Sequence, residues 1–287
     1  MTADLLDGGA LAARIRNELS ETVGKLVALG HRPGLGTILV GDDPASGRYV
    51  ALKHQDCAEV GIASRGIELP ATASQVQVED AIGAMNDDPS VDAFLVQLPL
   101  PKGLDEEAAL LAVQPDKDVD GLHPVNLGRL VMGVDGPVPC TPAGIQRLLV
   151  EYGVPIEGRH VVIVGRGLTI GRPLSLLLAL KRPNANAAVT VVHTGVGDLV
   201  PYTTQADILV AAAGSPGIIT PAHVKPGAAV VGGGVTMDGK RILSDVEDAV
   251  AEVAGWTTPR VGGVGPMTRA MLLVNTVRAA QRAVDRG

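Results

Sequence analysis

Cysteines, aromatic residues and basic blocks are scarce in this sequence of 287 residues. Two cysteines cannot build a disulfide framework and fit a reducing compartment, so we expect a cytoplasmic protein. One Phe, one Trp and three Tyr offer few surfaces on which bases could stack, and the net charge is −7. Nucleic acid is therefore not an expected partner.

Long apolar runs are also missing. No uninterrupted apolar segment approaches the roughly 20 residues that a membrane-spanning helix needs. Asp4 and Asp7 stand near the N-terminus, where a signal peptide would carry Lys or Arg. We expect neither secretion nor a membrane partner. The six histidines are scattered, without cysteine or acidic neighbours at ligand spacing, so no metal site is expected.

The composition is that of a globular protein. Hydrophobic residues make up 46% and charged residues 19% of the chain, whose length suits two ordinary domains. Short β-rich apolar runs alternate with helix-length segments in both halves, which predicts an α/β fold with mostly parallel sheets. The predicted strands are 37–41, 91–98, 161–165, 189–193, 208–212 and 229–231.

A proline-rich stretch over 134–142 marks the predicted domain boundary. We predict a first domain over 1–138 and a second domain over 139–267. A C-terminal helix over 268–287 is expected to join the first domain. Apolar residues at three- and four-residue spacing predict a further helix over 5–29.

Asp43-Pro44 is a typical helix start, because Asp caps the first turn and Pro suits the first helical position. On this predicted helix, which ends at Gly61, Tyr49 and Lys53 are four residues apart and share a face. Lys53 also lies along apolar neighbours. Its ammonium either extends outward into solvent or, if burial disfavours the charge, serves in proton transfer.

Two further polar residues, Gln97 and Asp120, follow apolar segments. Gln97 stands at the carboxyl end of the predicted strand 91–98, where it either binds a ligand or the lysine amine, or caps a backbone group. Asp120 belongs to the run 116–121, which begins like a calcium loop, but the twelfth position is Leu127 where calcium binding requires Glu. Asp120 therefore lies in a solvated turn or binds donor groups of a ligand.

A glycine-rich loop follows the predicted strand 161–165. Gly165, Gly167 and Gly171 have a spacing one residue longer than the usual dinucleotide fingerprint, and they let backbone amides approach a pyrophosphate. The next strand ends without the acid that would bind the ribose of NAD. Arg166 and Thr194 instead suit a 2′-phosphate, so NADP is the expected cofactor.

Together these segments resemble the bifunctional methylenetetrahydrofolate dehydrogenase/methenyltetrahydrofolate cyclohydrolase family. The resemblance spans nearly the whole chain, and it consists of several long motifs in the order that the family has. These motifs are VGDDPAS (40–46), VQLPLP (96–101), DKDVDGLHPVNLGRL (116–130), PCTPAGI (139–145), GRGLTIGRP (165–173) and GGVGPMT (262–268).

The resemblance implies two α/β domains flanking a cleft, the second a Rossmann-type NADP-binding domain, in a homodimer. It implies NADP-dependent oxidation of 5,10-methylenetetrahydrofolate to 5,10-methenyltetrahydrofolate, followed by hydrolysis to 10-formyltetrahydrofolate. The partners would then be tetrahydrofolate one-carbon derivatives, in one-carbon metabolism and purine biosynthesis.

Residue by residue, the resemblance implies catalytic roles for four positions. Lys53 would transfer protons and Gln97 would position it. Tyr49 would pack on the folate, and Asp120 would bind the polar edge of the pterin ring. The implied cofactor-binding residues are Gly165, Arg166, Gly167, Thr194 and Val235. The implied substrate-binding residues are Tyr49, Gln97, Pro99, Leu100, Asp120, Gly262, Gly263 and Pro266.

The sequence departs from the family pattern at two places. Gly232 stands where the family usually has an acid, and Val261 replaces a proline before the glycines. Both departures bear on the dehydrogenase more than on folate binding. Three alternatives remain: a cyclohydrolase with a weakened dehydrogenase, an NADP-dependent dehydrogenase of a small hydroxy acid that uses Tyr49 and Lys53 as its acid/base pair, and a binding homologue without turnover.

Overall fold

The computed structural model describes residues 2–239 and 241–286. Short 3₁₀ helices cover Pro221–His223 and Asp248–Glu252. The other elements are β1 (Asp4–Leu5), α1 (Gly8–Ala28), β2 (Gly34–Val40), α2 (Pro44–Val60), β3 (Ala63–Leu69), α3 (Gln75–Asp87), β4 (Ala93–Val96), α4 (Glu106–Ala112), α5 (Pro124–Met132), α6 (Cys140–Glu151), β5 (His160–Val164), α7 (Gly171–Ala179), β6 (Ala188–Val192), α8 (Val200–Thr203), β7 (Ile208–Ala211), β8 (Ala229–Gly232), β9 (Val235–Asp238), β10 (Arg241–Ser244), β11 (Trp256–Thr257) and α9 (Val264–Arg286).

The chain divides into two compact units. One comprises Ala13–Cys140 and the residues from Arg269 onward, and the other comprises the residues up to Ala12 and Thr141–Thr268. We name them the three-stranded unit and the six-stranded unit after their main sheets. Strands alternate with helices in both, and the strands of the two main sheets pair in parallel, so the predicted α/β class is confirmed.

In the three-stranded unit, β2 is the central strand and pairs in parallel with β3 and β4. Central strands of a parallel sheet are covered on both faces, and β2 accordingly is buried at six of its seven positions. The adjacent β4 is buried along its whole length. Ile38 and Phe94 from the sheet pack with Ile82 and Met85 of α3 in one apolar cluster. This core fixes the carboxyl end of β4, after which Gln97 stands.

The helix α2 begins and ends where the sequence predicts. The Asp43 carboxylate accepts a hydrogen bond from the Ser46 N–H at 2.8 Å, and Pro44 occupies the first turn. This bond lowers the pKa of Asp43. Gly61 ends the helix with φ +84°, a conformation that favours glycine. The predicted start at Asp43-Pro44 and the predicted stop at Gly61 are both confirmed.

The main sheet of the six-stranded unit is parallel throughout, in the order β1-β11-β8-β7-β5-β6. The chain passes from β5 out to β6 and then returns to β7 on the other side of β5. Strand order therefore reverses between β5 and β7, and ligands of open α/β sheets bind outside the carboxyl ends at such a reversal. Strands β9 and β10 form a separate antiparallel pair.

The observed division differs from the predicted boundaries at the N-terminus. Residues up to Ala12 belong to the six-stranded unit, because β1 pairs with β11, whereas the prediction placed them in the domain 1–138. A two-residue strand is too short to leave a periodic pattern. The C-terminal helix begins at Val264, and the chain changes units after Thr268.

Among the residues that the structure describes, no helix combines the length and the apolar character that crossing a bilayer requires.

Candidate active site

Lys53 and Gln97 form the centre of the candidate site. The Lys53 Nζ donates a hydrogen bond to Gln97 Oε1 at 3.0 Å, although the two residues stand on α2 and after β4. Lys53 is only 8% exposed, so its amine does not extend into solvent as the simpler interpretation held. Gln97 Nε2 donates to the Leu98 carbonyl at 2.7 Å, which leaves the amide oxygen facing the lysine.

The loop that carries Asp120 is held by a neighbouring carboxylate that the sequence analysis did not single out. Asp118 is buried and accepts hydrogen bonds from Gly121 N at 3.0 Å, His123 N at 2.8 Å and Asn126 Nδ2 at 2.8 Å. Buried charges persist where several donors satisfy them. Asp118 thus holds the turn that follows Asp120.

The same loop is also fixed through its backbone. Asn275 of α9 donates from Nδ2 to the Val119 carbonyl at 2.9 Å, and the Cys140 N–H donates to the Asp120 carbonyl at 3.3 Å. Gly121 has φ +71°, and a Cβ there would lie 2.7 Å from Pro139 N, so only glycine fits. The Asp120 backbone is therefore fixed from several directions.

Burial and charge set the protonation of this cluster. Burial raises the pKa of the Asp120 carboxyl, the Lys53 charge lowers it, and Asp118 raises it again. Burial, followed by the Asp120 charge, also raises the pKa of Cys140 well above the ordinary thiol value. Cys140 remains a thiol at neutral pH and donates to the Val119 carbonyl at 3.3 Å. It is a structural residue and not a nucleophile.

The other predicted substrate residues of this unit differ in accessibility. Tyr49 lies one turn before Lys53 on α2, and 43% of it is exposed, so its ring is free to meet a ligand. Pro99 is exposed after β4. Leu100 instead packs in the apolar core, and its N–H donates to Glu106 Oε1 at 2.8 Å. Its side chain therefore packs in the core.

In the six-stranded unit, the three glycines of the predicted dinucleotide loop have different surroundings. A Cβ at Gly165 would lie 2.1 Å from the Ala212 carbonyl oxygen, and one at Gly171 would lie 2.2 Å from the Gly165 oxygen. A Cβ at Gly167 would meet no atom of the described residues within 4 Å. Backbone packing requires the first and third glycines, whereas Gly167 leaves open space beside the loop.

This loop has the features of a phosphate site. It leads into α7, whose first turn is capped by no side chain in the part of the chain that the structure describes. Arg166 is exposed in the loop, and Thr194 is exposed after the neighbouring strand β6. The Gly165 N–H donates to the Val192 carbonyl at 2.8 Å, so both segments start from one sheet edge. These residues fit the dinucleotide that the sequence predicts.

The remaining predicted residues also lie in the six-stranded unit. Val235 is exposed at the start of β9. Gly262 has φ +89°, and a Cβ at Gly263 would lie 2.8 Å from the Pro259 oxygen. Pro266 lies in the first turn of α9. Among the described residues, no group of three or more His, Cys, Asp or Glu side chains is placed to hold a metal ion.

Comparison with models of known protein families identifies the family of this chain. The model of the tetrahydrofolate dehydrogenase/cyclohydrolase catalytic domain matches residues 6–120, and that of the NAD(P)-binding domain of the same family matches residues 139–284. The chain belongs to the tetrahydrofolate dehydrogenase/cyclohydrolase family. The predicted resemblance is confirmed, and the fold of the second half is the Rossmann-type fold that it implies.

Individual relatives and solved structures are similar to this chain along nearly its whole length. A protein from Syntrophotalea carbinolica named bifunctional protein FolD is 56% identical over 286 residues, which cover 100% of this chain and 99% of that relative. A crystal structure of the bifunctional enzyme FolD from Campylobacter jejuni has a TM-score of 0.94 at 41% identity and covers 98% of this chain. The chain also matches a FolD structure from Trypanosoma brucei, complexed with NADP and an inhibitor, at a TM-score of 0.93 and 40% identity over 99% of both chains.

Proposed function

We propose that this chain oxidises 5,10-methylenetetrahydrofolate with NADP and then hydrolyses the 5,10-methenyl product to 10-formyltetrahydrofolate. Family membership supports the two activities. The observation that carries the assignment of residues is the bond between the buried Lys53 amine and the Gln97 amide, in the field of Asp120. A small hydroxy acid would not require this cluster, whereas a cationic folate intermediate would.

Lys53 is the proton-transferring group of the proposed hydrolysis. Water adds to the methenyl carbon and loses one proton, and the second proton moves from the new hydroxyl to N5 as the bond between the carbon and N5 breaks. Lys53 accepts the first proton at Nζ. Gln97 suits this role because its amide oxygen accepts a hydrogen bond from the amine and so positions it.

Asp120 and Tyr49 would bind the substrate in the three-stranded unit. A carboxylate held by a rigid backbone can accept hydrogen bonds from the amino and ring N–H groups of a pterin. The exposed Tyr49 ring offers a face for stacking. The exposed Pro99 and the backbone at Leu100 would border the same ligand. Gly262, Gly263 and Pro266 of the six-stranded unit are proposed as further substrate-binding residues.

NADP would be held by the glycine loop and the start of α7. NADP supplies the hydride acceptor of the oxidation when it is bound. The open space at Gly167 lets the backbone approach the pyrophosphate, and Arg166 and Thr194 provide a cation and a hydroxyl for the 2′-phosphate. Gly165 shapes the turn, and the exposed Val235 would be a further contact of the dinucleotide.

We further propose a cytoplasmic homodimer in which the three-stranded unit is the folate-binding catalytic domain and the six-stranded unit is the NADP domain. Cys57 and Cys140 are free and buried, which fits a reducing compartment. Burial raises the pKa of Cys57 to about 12. The products would serve one-carbon metabolism, including purine biosynthesis.

The direct test mixes the wild-type protein with NADP and methylenetetrahydrofolate and follows the absorbance of NADPH and of methenyltetrahydrofolate together. We expect NADPH to appear while the methenyl intermediate rises little or decays to 10-formyltetrahydrofolate. Parallel reactions with NAD and with 2-hydroxy acids in place of folate serve as controls. NADPH formation from a hydroxy acid without folate, or no turnover of either folate, would contradict the proposal.

A further inference from the structure

Asp245 is the one acidic residue of the six-stranded unit that is completely buried among the residues described, with 0% exposure. It directly follows β10. Its Oδ2 accepts hydrogen bonds from Ala213 N at 2.7 Å and Gly214 N at 2.9 Å, in the segment after β7. Because a buried carboxylate is costly unless donors satisfy it, these two backbone amides account for its retention only in part.

Asp245 also fixes the segment after β8. Its N–H donates to the Gly234 carbonyl at 3.2 Å. A Cβ at Gly234 would lie only 2.0 Å from Asp245 Oδ2, so the carboxylate occupies the space that any other side chain would need. The N–H groups of Gly233 and Gly234 donate to the Ala211 carbonyl at 2.8 and 2.9 Å. Asp245 thus joins the segments that follow two neighbouring strands, one through its carboxylate and the other through its backbone N–H.

These segments belong to the edge of the sheet where the dinucleotide is proposed to bind. Strand order reverses between β5 and β7, and the Ala212 oxygen is packed so closely against Gly165 that a Cβ there would lie 2.1 Å away. Thr236 Oγ1 donates to the Gly214 carbonyl at 3.2 Å, which ties the start of β9 to the same segment. A shift of Ala213-Gly214 would therefore be transmitted to the glycine loop.

The other oxygen of the same side chain points to more than a stabilising role. Asp245 Oδ1 is buried without a hydrogen-bond partner among the described residues. A buried acceptor without a donor costs stability. Stability alone therefore does not explain a buried carboxylate of which only one oxygen accepts hydrogen bonds. The role of this carboxylate is to hold the backbone N–H groups of Ala213 and Gly214 in place.

We propose that Asp245 is a positioning residue for NADP, which sets the backbone of 213–214 and 233–234 beside the dinucleotide. This inference rests on the proposed NADP site. It also bears on Gly232, where the family pattern has an acid: a Cβ at Gly232 would lie 3.0 Å from Ser244 Oγ, so this strand end has little room for a second carboxylate. The carboxylate of this region comes from Asp245, directly after β10, instead.

The test compares Asp245→Asn with Asp248→Asn, a variant of an exposed acid three residues away. An Asn oxygen can still accept from both amides, but without charge, and its NH2 group replaces an oxygen that has no donor. We expect Asp245→Asn to raise the Kd and the KM for NADP at least tenfold and to lower the dehydrogenase kcat. The hydrolysis of methenyltetrahydrofolate should stay within twofold of wild type, and Asp248→Asn should change none of these values.

Three outcomes would overturn the inference. The first is an unchanged Kd for NADP in Asp245→Asn. The second is an equal loss of both activities with a lowered melting temperature, which indicates structural support only. The third is hydrogen exchange of wild-type peptides covering 212–216 and 232–236 that NADP does not slow, a measurement that requires no variant to fold.

Gly167→Val separates this inference from the site on which it rests. The valine would fill the open space at the loop and should abolish NADP binding. If Gly167→Val loses NADP and Asp245→Asn does not, the site stands and the positioning role is wrong. If Gly167→Val binds NADP normally, the proposed site and the inference both fail.

Discussion

The two units build their sites by opposite means. In the three-stranded unit, Lys53, Gln97 and Asp118 are buried or half-buried polar side chains that bond to one another or to nearby backbone groups. In the six-stranded unit, the proposed site consists of glycine backbone, a helix start that no described side chain caps, and exposed side chains such as Arg166. Proton transfer needs a fixed side chain, whereas a pyrophosphate needs exposed backbone amides. The two kinds of site should therefore fail in different ways when they are altered.

The strongest contrast comes from Asp118→Ala. The variant removes a buried carboxylate and leaves Gly121 N–H, His123 N–H and one N–H of the Asn126 amide without their acceptor. We expect the free energy of unfolding to fall by about 3–5 kcal/mol, measured by urea denaturation. Asp116→Ala is the matched control, because its ion pair with Arg129 is exposed and should contribute at most about 1 kcal/mol. Equal losses for the two variants would show that Asp118 is not the anchor of the loop.

The glycines of the dinucleotide loop give the next largest effect. Gly171→Ala places a Cβ 2.2 Å from a backbone oxygen, so we expect a loss of about 1–3 kcal/mol in stability together with weaker NADP binding. Gly167→Ala has room for its methyl group and should melt like wild type while its Kd for NADP rises. Thermal melting and titration calorimetry check both variants. If Gly171→Ala melted like wild type, backbone packing would not explain that glycine.

Arg166→Ala should affect the ligand and leave the fold intact. The side chain is exposed, so its loss removes a contact with the 2′-phosphate and little else. A charge-assisted contact is worth roughly 1.5–3 kcal/mol, which corresponds to about 10- to 150-fold in the Kd for NADP. Titration with NAD is the internal control, because NAD lacks this phosphate. An equal loss for NAD and NADP would assign Arg166 to the pyrophosphate or to loop structure.

The smallest effect expected is a gain in stability from Asp120→Asn. The pKa of Asp120 is raised in the folded protein, so the folded state binds more protons than the unfolded state between the two pKa values. Its ionised carboxylate therefore reduces stability as pH rises through the folded pKa. We expect Asp120→Asn to melt slightly above wild type at pH 7 and to lose this advantage in acid, while folate turnover falls. A melting temperature below that of wild type at pH 7 would show that the ionised Asp120 carboxylate stabilises the folded state.

How far the sequence predicts this molecule depends on the range of the interactions involved. The bounds of α2 follow from Asp43, Pro44 and Gly61, because helix caps act over three or four residues. The pairing of β1 with β11 joins residues about 250 positions apart and carries no local pattern, so the sequence alone does not predict it.

The same limit applies to the sites. The residue types at Lys53, Gln97 and Asp120 are visible in motifs, but Asp118 and Asn275 act through partners that only the folded chain brings to them. In the sequence motif, nothing distinguishes the roles of Gly165, Gly167 and Gly171. Only their surroundings show that two are required by packing and that one leaves room for a ligand. The burial of Leu100 among the apolar residues was likewise not visible, since its neighbours in sequence are prolines.

The central claim is that proton transfer belongs to Lys53 and is separable from NADP binding. The measurement that tests it most directly is the rate of methenyltetrahydrofolate hydrolysis by Lys53→Met, with the Kd for NADP determined on the same preparation. Lys25→Met, at an exposed lysine of α1, is the matched control. Because positioned acid–base groups contribute about 10²- to 10⁴-fold, we predict a loss of at least 100-fold in hydrolysis with an unchanged Kd for NADP. Hydrolysis near the wild-type rate by folded Lys53→Met would contradict the account.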